Sequence, residues 1–241
     1  MEPLLWFIPL GLLAFLFALL IRRRVYRIFP FFFTYVTFAL GADLARFVAL
    51  GHKHQYRITY WITEAVYDII GILVMYEVLR SVLGSLARSR WTRLILPLLL
   101  IVAAGLSLAH RQAVPPKVTG LLVYIVLGEI AVRFVQVLVF AGLVTLVPLI
   151  GLRWRQYPFG VATGFGLYAT VMLLTTVKFS DFGTKFKFLW GITSLVAYSV
   201  AVLIWIWFFS VPQKIETPAS ELSAPSPGDL KKYKDALRRM R

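Results

Sequence analysis

Seven apolar runs dominate the sequence, and short segments rich in arginine and lysine separate them. A helix that crosses the hydrocarbon core of a bilayer needs about 20 mostly apolar residues. Hydropathy and helix-breaking residues place helices at about 4–21, 29–50, 57–83, 94–109, 119–150, 159–177 and 188–210. The sequence therefore predicts an all-α fold, a polytopic transmembrane helix bundle of about seven spans within residues 1–210.

The composition agrees with lipid as the surrounding solvent. Of the 241 residues, 59% are hydrophobic and only 15% are charged, and the mean hydropathy of +0.77 exceeds the usual range of soluble domains. The predicted helices leave no room for a soluble catalytic domain within residues 1–210. Because the sequence contains no cysteine, disulfides, thiolate metal sites and cysteine nucleophiles are excluded.

The sequence contains no recognisable catalytic or cofactor motif. It lacks a Walker loop, an HExxH motif and a GxSxG motif, which weakens ATPase, metalloprotease and hydrolase interpretations. The last predicted helix has no internal lysine that could hold retinal as a Schiff base. His52, His54 and His110 fall in predicted outer loops, away from any membrane-embedded haem. We therefore predict no enzyme activity, no cofactor and no metal site.

The basic residues predict the orientation of the chain. The segments at the ends of the first, third and fifth predicted helices contain ten arginines, and the C-terminal tail adds seven lysines and arginines to the same side. The opposite side has seven basic residues: Lys53, Arg57, Arg111, Lys117, Lys178, Lys185 and Lys187. Because basic segments resist translocation, we place the tail in the cytoplasm and the N-terminus outside. The net charge of +15 then reflects topology rather than binding to nucleic acid.

The C-terminal tail divides into two parts. Residues 211–228 (VPQKIETPASELSAPSPG) have too little apolar surface to fold and are predicted to be a flexible Pro/Ser-rich linker. In residues 229–241, Asp229 can cap a short helix whose apolar residues Leu230, Tyr233, Leu237 and Met240 follow 3-4-3 spacing. This basic amphipathic helix suits either a protein partner or the anionic lipid of the inner leaflet. The alternative is a solvated tail that only helps to fix topology.

Six ionisable residues inside the predicted helices are the most informative feature of the sequence, because each costs about 2.5–3.5 kcal/mol at the centre of a membrane helix. They are Asp43, Arg46, Glu64, Asp68, Glu129 and Arg133. Spacings of three or four residues place Asp43 near Arg46, Glu64 near Asp68, and Glu129 near Arg133. Arg46 and Glu64 also lie at matching depth on consecutive helices, which predicts a network of Asp43, Arg46 and Glu64.

These six residues predict a ligand or proton site in the central and outer half of the bundle. Four carboxylates face two guanidinium groups, and the two excess negative charges favour proton uptake or a cationic ligand. Tyr67 and Gln136 are candidate lining residues of this pocket. The alternative is that the charges are structural and hold the helices together through interhelical hydrogen bonds.

Four further patterns predict packing. Glu77 lies three residues before Arg80 near the inner end of its helix, which indicates an interfacial salt bridge. The aromatic run FPFFFTY, which opens the second helix, is typical of an interface belt in contact with lipid. Gly160 and Gly164 form a small-xxx-small pair that favours close helix packing. Pro97 falls in the first turn of its predicted helix, where proline is tolerated.

Two stretches show a family resemblance. The run FPFFFTY near residue 30 and the segment YWITEAVYDIIGILVMYEVLR at 60–80 are similar to a family of seven-helix integral membrane proteins of environmental, acidobacteria-like bacteria. The resemblance covers the second and third helices, about a quarter of the chain. It implies a multi-pass bundle in the bacterial inner membrane and transfers neither an activity nor site residues.

Together these features favour a sensor or signalling component. Its polar pocket would respond to a ligand or to pH, and its basic tail would report to a partner. One alternative is a small proton- or cation-linked transporter, in which the same acids bind the transported ion. The other is a structural subunit of a larger membrane complex, in which the charged residues are structural pairs.

Overall fold

The computed structural model of the protein describes residues 4–49, 51–83, 90–111, 120–149, 156–179 and 187–211. These residues form the helices α1 Leu4–Arg22, α2 Pro30–Ala49, α3 Lys53–Val82, α4 Arg90–Ala109, α5 Leu121–Leu149, α6 Gln156–Phe179 and α7 Lys187–Ser210. A 3-10 turn at Val25–Arg27 follows α1, and the described ranges contain no strand. The predicted all-α helix bundle is confirmed. The predicted linker after Val211 and the helix at 229–241 lie outside the described residues.

Within the described ranges, four helices are long and apolar enough to cross a membrane. They are Pro30–Ala49, Leu121–Thr145, Tyr157–Thr175 and Gly191–Ser210, and two shorter apolar helices are Phe7–Arg22 and Leu94–Ala109. The outer faces of the bundle expose large apolar side chains, among them Val48 at 80%, Trp207 at 70% and Ile101 at 69%. Such a surface is unfavourable in water and suits lipid. The chain is a membrane protein.

Six of the helices close a ring. Within it, α1 packs on α2, α2 on α3, α3 on α5, α5 on α6, α6 on α7 and α7 on α1. α4 packs beside this ring on α5, where Ser107 Oγ donates a 2.6 Å hydrogen bond to the carbonyl oxygen of Leu127. This bond joins the end of α4 to the start of α5, so the two helices are antiparallel.

Glycines on α6 allow large side chains of α7 to approach its backbone. A methyl group at Gly164 would overlap the indole of Trp205, and one at Gly160 would overlap the ring of Phe208. Trp205 Nε1 also donates a 3.3 Å hydrogen bond to the carbonyl oxygen of Val161. Small residues let membrane helices pack closely where water provides no driving force. The predicted close packing at Gly160 and Gly164 is confirmed.

Three aromatic residues of the run that opens α2 belong to the core, so the prediction of the whole run as a lipid-facing belt was wrong for these three. Phe29, Phe32 and Tyr35 are 2%, 0% and 7% exposed. Their spacing of three residues puts them on one face of the helix, and this face is turned into the ring. The Phe32 ring lies 5.2 Å from the ring of Trp205 and 5.4 Å from that of Phe209.

Glu77 caps a neighbouring helix, so the predicted salt bridge with Arg80 was also wrong. The Glu77 carboxylate accepts hydrogen bonds from the backbone N–H groups of Phe31, at 3.1 Å, and Phe32, at 2.9 Å. These amides lie in the first turn of α2, where backbone donors have no partner within the helix and the helix dipole favours an anion. Glu77 is buried, whereas Arg80 is exposed. The buried carboxylate is therefore satisfied by the amides.

Pro97 lies inside α4 and not in its first turn as predicted, because α4 begins at Arg90. Hydropathy assigned Arg90 and Arg93 to a loop because they are charged. Arginine is nevertheless a good helix former, and here it extends the helix backwards. An interior proline removes one backbone hydrogen bond, a loss that membrane helices tolerate by local adjustment.

Candidate functional site

A cavity of about 380 Å³ lies inside the ring of helices. Its walls come from all six ring helices, and its lining includes all eight residues that the sequence predicted for a site: Asp43, Arg46, Glu64, Tyr67, Asp68, Glu129, Arg133 and Gln136. Their spacings of three, four and seven residues along α2, α3 and α5 place each set on one face of its helix. The volume falls in the range of about 300–1,000 Å³ that is usual for small-molecule sites.

Arg46 on α2 is held by several groups on α3. Its Nη2 lies 2.9 Å from Oε1 of Glu64, and its Nε donates a 2.9 Å hydrogen bond to Thr63 Oγ1. The guanidinium carbon stands 4.8 Å from the ring centroid of Tyr60 and 5.7 Å from that of Tyr67, within the range of cation–π attraction. The predicted Arg46–Glu64 pair is confirmed.

Glu129 and Arg133 form the second ion pair of the cavity. Arg133 Nη2 donates to Oε1 of Glu129 one turn earlier on α5. The glutamate precedes the arginine by four residues, which is the favourable order on a helix. Arg133 is only 8% exposed, so its charge is largely removed from water and depends on this partner. The predicted pair is confirmed.

Asp43 and Asp68 differ from the other acids of the cavity. Neither forms a salt bridge with a described residue. The predicted Asp43–Arg46 contact is wrong, because the Arg46 guanidinium is directed towards Thr63 and Glu64 on α3. With four carboxylates and two arginines in the lining, these two aspartates leave an excess of two formal negative charges.

Asp68 also lies close to the backbone of α5. Its Oδ2 would stand 3.3 Å from a Cβ atom at Gly128. Any larger residue at position 128 would thus press on the carboxylate. The absence of a side chain there gives Asp68 room at the α3–α5 contact.

Two largely buried polar side chains, Gln136 and Tyr35, belong to the lining of the cavity. Gln136 is 6% exposed and Tyr35 is 7% exposed, and both line the cavity. Among the described residues, no buried side-chain nitrogen or oxygen lacks a hydrogen-bond partner, so a polar atom without a partner must reach the cavity or the outer surface. The amide and the phenol hydroxyl are therefore available to a molecule in the cavity.

Residues on α6 and α7 complete the polar wall, and the sequence analysis missed them. Tyr168, Ser194 and Tyr198 line the cavity, and the rings of Tyr168 and Tyr198 are 5.9 Å apart. Ser194 and Tyr198 are four residues apart and thus share one helix face. That spacing was available in the sequence, but uncharged groups gave no comparable signal.

An aromatic layer closes one side of the cavity. The residues Phe32, Phe165, Trp205 and Phe209 are at most 1% exposed, and their rings pack against one another in edge-to-face, tilted and stacked pairs. Tyr35 joins this layer to the cavity, since its ring lies 4.8 Å from that of Phe165. The described core is therefore filled between the cavity and the arginine-rich end of the helices.

No protein family, no curated protein and no solved structure matches the chain. The structure itself defines the class: a helical membrane protein with a cavity lined by polar residues from the helices of its bundle. In the ranges that the structure describes, no group of three or more histidines, aspartates and glutamates could hold a metal ion. The resemblance of the second and third helices to bacterial seven-helix proteins stays a prediction.

Proposed function

We propose that this protein is a sensor of the bacterial inner membrane whose polar cavity binds a small cationic ligand. The observation that supports this most directly is the pair Asp43 and Asp68, two carboxylates in a cavity of about 380 Å³ that lack a salt bridge to any described residue. Uncompensated negative charge in a bundle surrounded by lipid is costly. A bound cation would remove that cost.

The remaining lining gives such a ligand uncharged partners. Glu64 and Glu129 are already compensated by arginines, so the free charge is concentrated at the two aspartates. Tyr35 and Gln136 offer oxygen acceptors, and tyrosine rings attract cations through their faces. An ammonium group, with its donors and single positive charge, fits this set of carboxylate, amide and phenol groups.

The proposal includes seven spans, with the N-terminus outside and the tail in the cytoplasm. α3 has 30 residues, and at about 1.5 Å per residue its length exceeds the roughly 30 Å core of a bilayer. The cavity is lined by Asp43 and Arg46 in the last two turns of α2 and by Glu64 and Asp68 near the middle of α3, away from the arginine-rich ends of the helices. Under the positive-inside rule this half faces outwards. A ligand would then arrive from the outer side, and the basic tail would report its presence.

The aromatic layer favours binding over passage through the protein. A transporter must connect its site to both sides of the membrane in turn. Here Phe32, Phe165, Trp205 and Phe209 fill the described core on the arginine-rich side of the cavity. A cation bound at the aspartates would have to displace several packed rings to pass. Retention of the ligand is therefore the simpler outcome.

The test is thermal unfolding of the detergent-purified full chain with ethylammonium chloride. Ethylammonium should raise the unfolding temperature of wild type, since a ligand that binds only the folded state stabilises it. Asp43→Asn and Asp68→Asn should remove that rise. Thr145→Ala is the control, because Thr145 is exposed and its hydroxyl bonds to Ala141 of its own helix. A wild-type protein that does not respond to ethylammonium would overturn the proposal.

The same protein preparations separate the two alternatives. Uptake of radiolabelled ethylammonium into proteoliposomes, lost in Asp68→Asn, would identify a transporter. Destabilisation by both asparagine substitutions, without any ligand response in wild type, would identify the aspartates as structural groups of an assembly subunit.

A further inference from the structure

A second, smaller cavity shares the lining residue Asp43 with the polar cavity. It has a volume of about 110 Å³, lies between α1 and α2, and is lined by Phe7, Leu10, Asp43, Leu44 and Phe47. Asp43 lines both cavities, whereas the other four residues are apolar. We call this smaller cavity the α1–α2 groove. Asp43 thus borders both an apolar groove and the polar cavity.

Three apolar residues that line the α1–α2 groove also reach the lipid-facing surface. Phe7, Leu44 and Phe47 are 51%, 57% and 48% exposed. The rings of Phe7 and Phe47 lie 6.2 Å apart and are tilted by 60°, so one side chain of each helix borders the groove. In a membrane bundle, half-exposed apolar side chains of this kind contact acyl chains.

The size of the groove limits what it accepts. At roughly 30 Å³ for a water-sized group, about 110 Å³ accommodates about four methylene groups. A short length of alkyl chain fills this volume, while a ring system or a branched lipid headgroup exceeds it. The groove has apolar side chains on its lipid side and the carboxylate of Asp43 at its inner end. This arrangement matches a molecule with an alkyl chain and a cationic head.

We propose that the ligand is an alkylamine that enters sideways from the bilayer between α1 and α2. Its ammonium group binds at Asp43, its first methylenes pack against Leu10 and Leu44, and the rest of its chain remains in lipid. The inference rests on the proposed function, since it specifies the ligand class of the same polar cavity. A fully hydrated inorganic cation would gain nothing from the apolar walls.

The affinity of a series of alkylammonium ions tests the groove. Each methylene buried from water should strengthen binding about fourfold. The increase should continue for about four methylenes, the capacity of the groove, and then level off. Binding is measured by calorimetry on the full chain in detergent, with ethyl-, butyl- and octylammonium as the probes.

Tryptophan variants distinguish binding of long amines in the groove from their partitioning into detergent, because partitioning is the same for every variant. Leu10→Trp fills the groove from α1, and Leu44→Trp, at an exposed site, fills it from α2. Ile8→Trp is the matched control, since Ile8 lies on the same helix, is 53% exposed and lines neither cavity. Each tryptophan on the groove should abolish the preference for octylammonium over ethylammonium, and Ile8→Trp should keep it.

Three outcomes are distinct. Loss of the preference in Leu10→Trp or Leu44→Trp, with the preference kept in Ile8→Trp, supports lateral entry of an alkylamine. The same preference in all three variants overturns it and leaves the polar cavity as a site for small water-soluble cations. A wild-type protein that binds no ethylammonium overturns the proposed function itself.

Discussion

The guanidinium of Arg46 and the carboxylate of Glu64 meet at 2.9 Å and join α2 to α3 inside the bundle. The pair is largely removed from solvent, with side-chain exposures of 13% and 15%. Tyr60 covers the guanidinium on one side and Thr63 accepts from it. Charge, hydrogen bonds and aromatic contact therefore all depend on the position of one arginine.

Removal of one partner of this ion pair should lower the free energy of unfolding more than removal of both partners. Arg46→Met leaves the buried Glu64 charge without a partner and should destabilise the protein by about 3–5 kcal/mol, as at other buried pairs. The double variant Arg46→Met, Glu64→Met should recover a large part of that loss. Unfolding in detergent of wild type, both single variants and the double variant measures the coupling. Strictly additive effects would show that the two side chains do not interact in solution.

Gly164→Ala should destabilise the bundle by about 1–3 kcal/mol, the usual cost of forcing an extra carbon into a packed interior. The new methyl group would overlap the Trp205 indole and push α7 away from α6. Gly41→Ala is the control, because no atom lies within 4 Å of a Cβ there and the site is exposed. Equal unfolding temperatures for the two variants would argue against the tight α6–α7 contact.

The sequence predicted most of the helices and the charged part of the site, for a physical reason. Apolar length and ionisable residues in a lipid environment are strong signals, so Asp43, Arg46 and Glu64 could be assigned to one cavity before the structure was known. Uncharged groups such as Tyr35 and Tyr198 gave no comparable signal, because a tyrosine in a membrane helix is equally compatible with packing.

The bonding partner of a charged side chain was harder to predict from the sequence than the helix face on which the side chain lies. Glu77 was assigned to Arg80 because local spacing favoured it, but its partners are the amides of Phe31 and Phe32, more than forty residues away in sequence. Likewise, Asp43 was assigned to Arg46 although Arg46 binds across to α3. Spacing along one helix indicates which groups share a face, whereas the neighbouring helix decides which of them form a bond.

Glu77→Ala should destabilise the protein by about 1–2 kcal/mol, comparable to the loss of a helix cap. The substitution leaves the N–H groups of Phe31 and Phe32 without their acceptor at the start of α2. Glu77→Gln should lose less, because its amide oxygen can still accept one of these bonds. Arg80→Ala serves as the control and should leave the unfolding temperature unchanged, since Arg80 is exposed. A larger effect of Arg80→Ala than of Glu77→Ala would restore the salt-bridge hypothesis.

Asp68→Asn should have opposite effects on stability and on ligand response. The substitution keeps the shape of the side chain beside Gly128 but removes a carboxylate that has no salt bridge to a described residue. Because an uncompensated charge in the bundle is unfavourable, the ligand-free variant should unfold at the same or a higher temperature than wild type. Residues kept for function commonly lower stability in this way.

The Asp68→Asn variant should nevertheless lose the stabilisation that ethylammonium gives to wild type, measured in parallel unfolding experiments. Glu64→Gln, which breaks the Arg46 pair, should instead unfold at a lower temperature. If Asp68→Asn is destabilised as strongly as Glu64→Gln, Asp68 is a structural group. Its charge is then not available to a cationic ligand, and this result would contradict the proposed role of Asp68 in binding.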